Sequence, residues 1–158
     1  MIETSLHPAL EPIAWLLGTW AGEGKGHYPT IDSFVYREES RFAHAGKPVM
    51  SYLQRTWSLD TGAALHSESG FLRPRDSGAI ELVVAHGFGI AEISEGHIEG
   101  RRIDLVSRSL APTSTAKHVL EVRRVFEGDG DVLSYEVDMA YGEHPVQNHL
   151  RAELRKVS

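Results

Sequence analysis

The sequence predicts an all-β fold, about ten antiparallel strands in an up-and-down barrel behind a short N-terminal helical segment. Three observations carry this. From Gly18 onward, short apolar–polar alternations recur between turns rich in Gly, Pro and Asp. Strands and helices do not alternate, which argues against a parallel α/β sheet. The strands follow one another with little room for crossovers, which favours a meander over a sandwich, and closing it into a barrel removes exposed edges.

In chain order, residues 6–17 read as a broken helix. Leu6, Leu10, Ile13 and Leu17 are spaced near the helical period, Pro8 suits a first turn, Pro12 interrupts, and Gly18 stops it. Strands are expected near 18–26, 33–42, 49–59, 64–73, 79–86, 89–98, 101–110, 117–127, 131–141 and 145–156. The clearest hairpin is Val125 to Leu133 around Gly128-Asp129-Gly130. In 131–141, Leu133, Tyr135, Val137, Met139 and Tyr141 share one face. In 33–42, Glu38 and Ser40 join the apolar face of Phe34, Tyr36 and Phe42, which points to a partly polar interior or a bent strand. No linker or repeat divides the chain, so residues 1–158 read as a single domain.

Composition narrows the function. Sixteen Lys plus Arg against 22 Asp plus Glu give a formal charge of −6, which argues against a general nucleic-acid binder. With no cysteine, disulfides, thiolate metal sites and cysteine nucleophiles are excluded. The longest apolar run, Ile13 to Leu17, is five residues, far short of a membrane span of about 20. No basic n-region precedes it, so the expected location is cytoplasmic, with no membrane partner.

Four glycines in Gly18-Thr19-Trp20-Ala21-Gly22-Glu23-Gly24-Lys25-Gly26 weaken a strand and need a reason. Barrel closure is the leading one, direct ligand contact the other, with Trp20 as a plug of the barrel floor. Tyr28-Pro29-Thr30 is either a plain turn or a rim segment facing a ligand. The nine histidines form no His-x-His or His-x-x-x-His cluster, so a metal site would have to be assembled from distant strands. His149 shares parity with the polar Gln147, Arg151 and Glu153; a place at the barrel mouth or a bulge near Gly142 to Pro145 would turn it inward. Glu38 and Glu39 point to opposite faces and make a poor carboxylate pair. No serine elbow, Walker loop or dinucleotide fingerprint is present.

Taken in order, Gly18-Thr19-Trp20-Ala21-Gly22-Glu23-Gly24, Tyr28-Pro29-Thr30-Ile31, Phe42 to Pro48, Leu65 to Arg73, Leu110 to Lys117 and Gln147-Asn148-His149-Leu150 resemble the nitrobindins, most closely the actinobacterial members. The resemblance implies a ten-stranded barrel shaped like lipocalins and fatty-acid-binding proteins, holding one haem b per chain near an open end. It implies His149 as the iron ligand, and thus the catalytic and metal-binding residue. It implies Lys117 as a haem contact. Thr30, directly after the glycine-motif strand, stands either near the haem edge or as a plain turn hydroxyl. The resemblance also implies isomerisation of peroxynitrite to nitrate at ferric haem, and nitric oxide binding. A homodimer is compatible with it. Zero cysteine leaves imidazole as the natural axial donor. The other readings are a barrel that carries a lipophilic ligand such as a fatty acid without chemistry, and a haem carrier or sensor.

Overall fold

The computed structural model describes residues 4–29 and 31–158. An N-terminal 3₁₀ helix (Pro8–Leu16) leads into β1 (Gly18–Tyr28), β2 (Ile31–His44), β3 (Met50–Ser58), β4 (Ala64–Pro74), β5 (Ala79–His86), β6 (Ile90–Glu99), β7 (Arg102–Pro112), β8 (Val119–Asp129), β9 (Val132–Tyr141) and β10 (His144–Lys156). The ten strands form one closed antiparallel barrel in which each pairs with its sequence neighbours and β1 pairs with β10. Every expected strand has its counterpart. The Val125–Leu133 hairpin is there too, with Asp129 opposite Val132 and Gly130 at φ 57°, a backbone state that suits glycine.

The N-terminal segment differs in period from the expectation. It is a 3₁₀ helix, and its buried residues are Leu10, Ile13 and Leu16, three apart, with Leu17 only partly buried. Three residues per turn put every third side chain on one face, and prolines at positions 8 and 12 oppose a regular α-helix. The helix caps the barrel floor: the Trp20 indole is fully buried and donates to the Leu16 carbonyl at 2.7 Å. Above it, Phe42, Tyr52 and Phe126 pack as an aromatic cluster with centroids 5.1–6.2 Å apart.

The glycines of β1 are where the barrel closes tightly. Gly22 stands opposite Leu154, and a Cβ there would lie 2.2 Å from the Glu153 carbonyl oxygen. Gly24 and Gly26 seat aromatic rings of β2: added Cβ atoms would meet Tyr36 Cζ at 2.4 Å and Phe34 Cζ at 2.2 Å. Gly22→Ala therefore forces backbone apart, and its expected cost is about 1–3 kcal/mol. Urea denaturation measures it; a variant as stable as the parent would show that the seam has room.

Pairing between β7 and β8 is short. It runs from Arg102–Glu127 to Val106–Arg123 and then stops, although β7 continues to Pro112 and β8 begins at Val119. Between the diverging strands the Ser107 hydroxyl accepts from the Val122 amide at 3.0 Å. The wall is thus open on this side of the upper barrel. Among the described residues, no helix is long and apolar enough to cross a membrane.

Candidate functional site

The upper half of the barrel encloses a cavity of about 660 Å³, inside the range of about 300–1,000 Å³ usual for small-molecule and cofactor sites. Phe34, Leu110, Val119, Val137 and Met139 contribute apolar wall. His149 faces this space from β10 and is buried. Strict alternation would point it outward, and a bulge removes the conflict. Asn148 is opposite Asp138, but Leu150 is opposite Val137, so β10 spends one extra residue here and His149 and Leu150 both line the cavity. The Asn148 amide donates to Asp138 Oδ1 at 3.1 Å and to the Leu150 carbonyl at 3.3 Å, pinning the distortion. A second irregularity lies between His144 and Gln147, near the place expected from Pro145; the one that turns His149 inward is further along the strand.

The His149 ring is fixed in tautomer and angle. Nδ1 lies 2.8 Å from the His27 carbonyl oxygen, which only accepts, so Nδ1 carries the proton and Nε2 keeps its lone pair. Burial lowers the His149 pKa, and the charges of His66 and Lys117 push the same way, against the His27 carbonyl. The side chain is therefore a neutral imidazole at neutral pH. The Tyr28 ring stands edge-on to it with centroids 4.1 Å apart, and Lys117 Nζ sits 4.6 Å over the Tyr28 ring. Lys117 is exposed, in the loop just before β8, at the cavity rim. Thr30 lies outside the described residues. Of the glycine motif, Gly18, Trp20 and Gly22 belong to the floor and seam, and Gly24 acts only through Tyr36, whose ring lines the cavity.

A charged network in another stretch of the wall escaped the sequence reading. Glu68 of β4 receives Tyr52 Oη and Arg124 Nη1 on Oε1, both at 2.6 Å. Arg124 Nη2 reaches Glu92 Oε2 at 3.1 Å. His86 bridges the two carboxylates, with Nδ1 3.1 Å from Glu68 and Nε2 2.7 Å from Glu92. Burial works against the carboxylate charges, yet Arg124 and the His86 contacts outweigh it and hold both acids below their usual range. Burial likewise opposes the charge on His86, but hydrogen bonds to Glu68 and Glu92 raise its pKa to about 9. Parity was the available signal. Arg124 falls between the inward Val122 and Phe126, His86 continues Leu82 and Val84, and Glu68 follows His66 by two.

These features fit a haem. The cavity offers an apolar slot, one imidazole with its outer nitrogen already anchored, and a cation at the rim for a carboxylate. A family model described as THAP4-like, heme-binding beta-barrel domain matches residues 9–156. A relative from Arabidopsis thaliana named peroxynitrite isomerase Rv2717c is 46% identical over 154 residues, covering 96% of this chain and 91% of the relative. Peroxynitrite isomerase 2 of Mycobacterium marinum is 45% identical over 157 residues, 97% of this chain and 98% of that one. The crystal structure of Rv2717c from M. tuberculosis has a TM-score of 0.91 and 44% identity, covering 98% of this chain and 100% of that chain. Matched across all but its ends, the chain belongs to the THAP4-like haem-binding β-barrel domains, the nitrobindin family.

Proposed function

We propose that residues 1–158 act as one unit that binds a single haem b through His149, isomerises peroxynitrite to nitrate at the ferric iron, and binds nitric oxide at the same place. The observation that carries the reading is the anchored neutral imidazole of His149 facing an apolar cavity in a haem-binding family, together with relatives named peroxynitrite isomerase. When bound, haem supplies a Lewis-acidic iron that also exchanges single electrons.

The chain's own residues do the rest. The His27 carbonyl holds the His149 Nδ1 proton, and Tyr28 blocks rotation of the ring, so that Nε2 is presented in one orientation. Phe34, Val137 and Met139 exclude water from the slot. Lys117 pairs with a propionate at the rim and draws anions to the mouth. The unpaired stretch between β7 and β8 gives a flat ligand its entry. Isomerisation of peroxynitrite neither adds nor removes atoms, so the protein has only to bind, orient and shield. A cytoplasmic location and a homodimer are compatible with this reading.

The test compares ferric-haem-loaded protein with the haem-free chain in a peroxynitrite decay assay that also measures nitrate. Faster decay with a higher nitrate yield is expected. Equal decay in both would leave a haem-binding barrel without this activity.

A further inference from the structure

Three donor atoms in the cavity wall form a nearly equilateral triangle. His66 Nε2 and Glu68 Oε2, both on β4, are 3.3 Å apart. His86 Nδ1 on β5 is 3.1 Å from Glu68 Oε2 and 3.4 Å from His66 Nε2. A tetrahedral zinc ion with bonds of about 2.0–2.2 Å separates its ligands by about 3.3–3.6 Å. The triangle, at 3.1–3.4 Å, thus matches the short end of one face of such a site. Two histidines and one carboxylate are also a recurrent three-ligand set for zinc sites that keep an open position. We propose that His66, Glu68 and His86 bind a zinc-class divalent cation, at a second site separate from His149, with the fourth position open to the cavity.

The surroundings are those of a metal site. His86 uses its other nitrogen to contact Glu92 at 2.7 Å, and Glu92 is itself held by Ser94 Oγ at 2.7 Å and Arg124 at 3.1 Å. A carboxylate behind a ligating histidine orients the ring and raises its basicity. Tyr52 and Arg124 Nη1 occupy Glu68 Oε1 at 2.6 Å, while Oε2, which faces the triangle, receives from Arg124 only a long hydrogen bond of 3.5 Å from Nη2. Glu68 and Glu92 against Arg124 leave one negative charge, which a proton on the His86 imidazole balances in the empty wall and which a divalent cation would balance instead on displacing that proton. Phe88, in the β5–β6 turn, stacks near both rings at 5.2 and 5.1 Å and shields them on one side. Without a cation, the same atoms are joined by protons on the histidines.

The test titrates Zn²⁺ into the full chain, haem-free and haem-loaded, by calorimetry, and repeats it with Co²⁺ to read the visible bands of a tetrahedral ion. One equivalent per chain is expected. His66→Gln and His86→Gln should weaken binding by more than about 100-fold, and Glu92→Gln by about 10–100-fold. His149→Ala should retain the zinc, while the His66 and His86 variants retain the haem Soret band, so this site and the haem site fail independently. In the unaltered chain, zinc should shift the imidazole resonances of His66 and His86, a readout that needs no variant. The proposal is overturned by absence of stoichiometric binding. It is equally overturned by binding that survives both glutamine variants or disappears in His149→Ala.

Discussion

Replacing His149 with alanine is expected to abolish the histidine-ligated Soret band and to weaken haem binding by more than about 100-fold. Altering an outer-shell partner of a metal ligand already costs about 10–100-fold, and removing the ligand itself costs more. The barrel should survive. The imidazole loses one hydrogen bond to the His27 carbonyl, worth about 1 kcal/mol net, and its edge-on contact with the Tyr28 ring. A haem titration followed at the Soret band, beside a thermal melt, separates the two effects. His149→Gly with added imidazole should regain the parent spectrum, because the cavity remains and only the donor is missing. An unchanged Soret band in His149→Ala would move the ligand elsewhere.

Glu38→Gln is expected to stabilise the chain at alkaline pH. Glu38 is fully buried in β2, with Ser40 Oγ donating to one oxygen at 2.6 Å and the Tyr135 hydroxyl donating to the other. Among the described residues no cation contacts it. Burial raises its pKa from 4.5 to about 7, with the Glu68 charge adding, against hydrogen bonds from Ser40, Tyr135 and Gln54. The folded carboxyl thus holds its proton more tightly than the unfolded one. The resulting stability is fully present below about pH 4.5, declines as pH rises, and is gone above about pH 7. The gap between those values corresponds to about 3 kcal/mol. Glutamine imitates the protonated acid, so the variant should match the parent near pH 4.5 and exceed it by up to about 3 kcal/mol at pH 8. Urea denaturation at both pH values reads this directly. Parallel pH profiles for the two proteins would show that Glu38 is ionised in the fold at no cost.

The buried acid also shows how far a pattern reading reaches. Glu38 and Ser40 stand on an apolar parity in the sequence, and the structure places both inside, joined to Tyr36 and Tyr135 through hydroxyl contacts. Parity told where they point. It could not tell that the partner hydroxyl comes from β9, nearly a hundred residues away. Lys117 illustrates the complementary case. The resemblance marked it as a haem contact, and the structure sets it over Tyr28, within the reach of His149's own neighbour, although the loop holding it has no pattern of its own.

By itself, the sequence determined the strands, their order and the inward faces, because alternation and turn chemistry are local properties of a few residues. It also determined the β1 seam, since only glycine leaves space for β10 and the β2 rings. Only the tertiary structure decided two things. The extra residue between Asn148 and Leu150 that brings His149 inward exists only in register with β9. The convergence of His66, Glu68, His86, Glu92 and Arg124 needs β4, β5, β6 and β8 on one curved wall. A one-residue shift in pairing reverses which face a side chain takes, and register belongs to pairs of strands that a single segment does not contain.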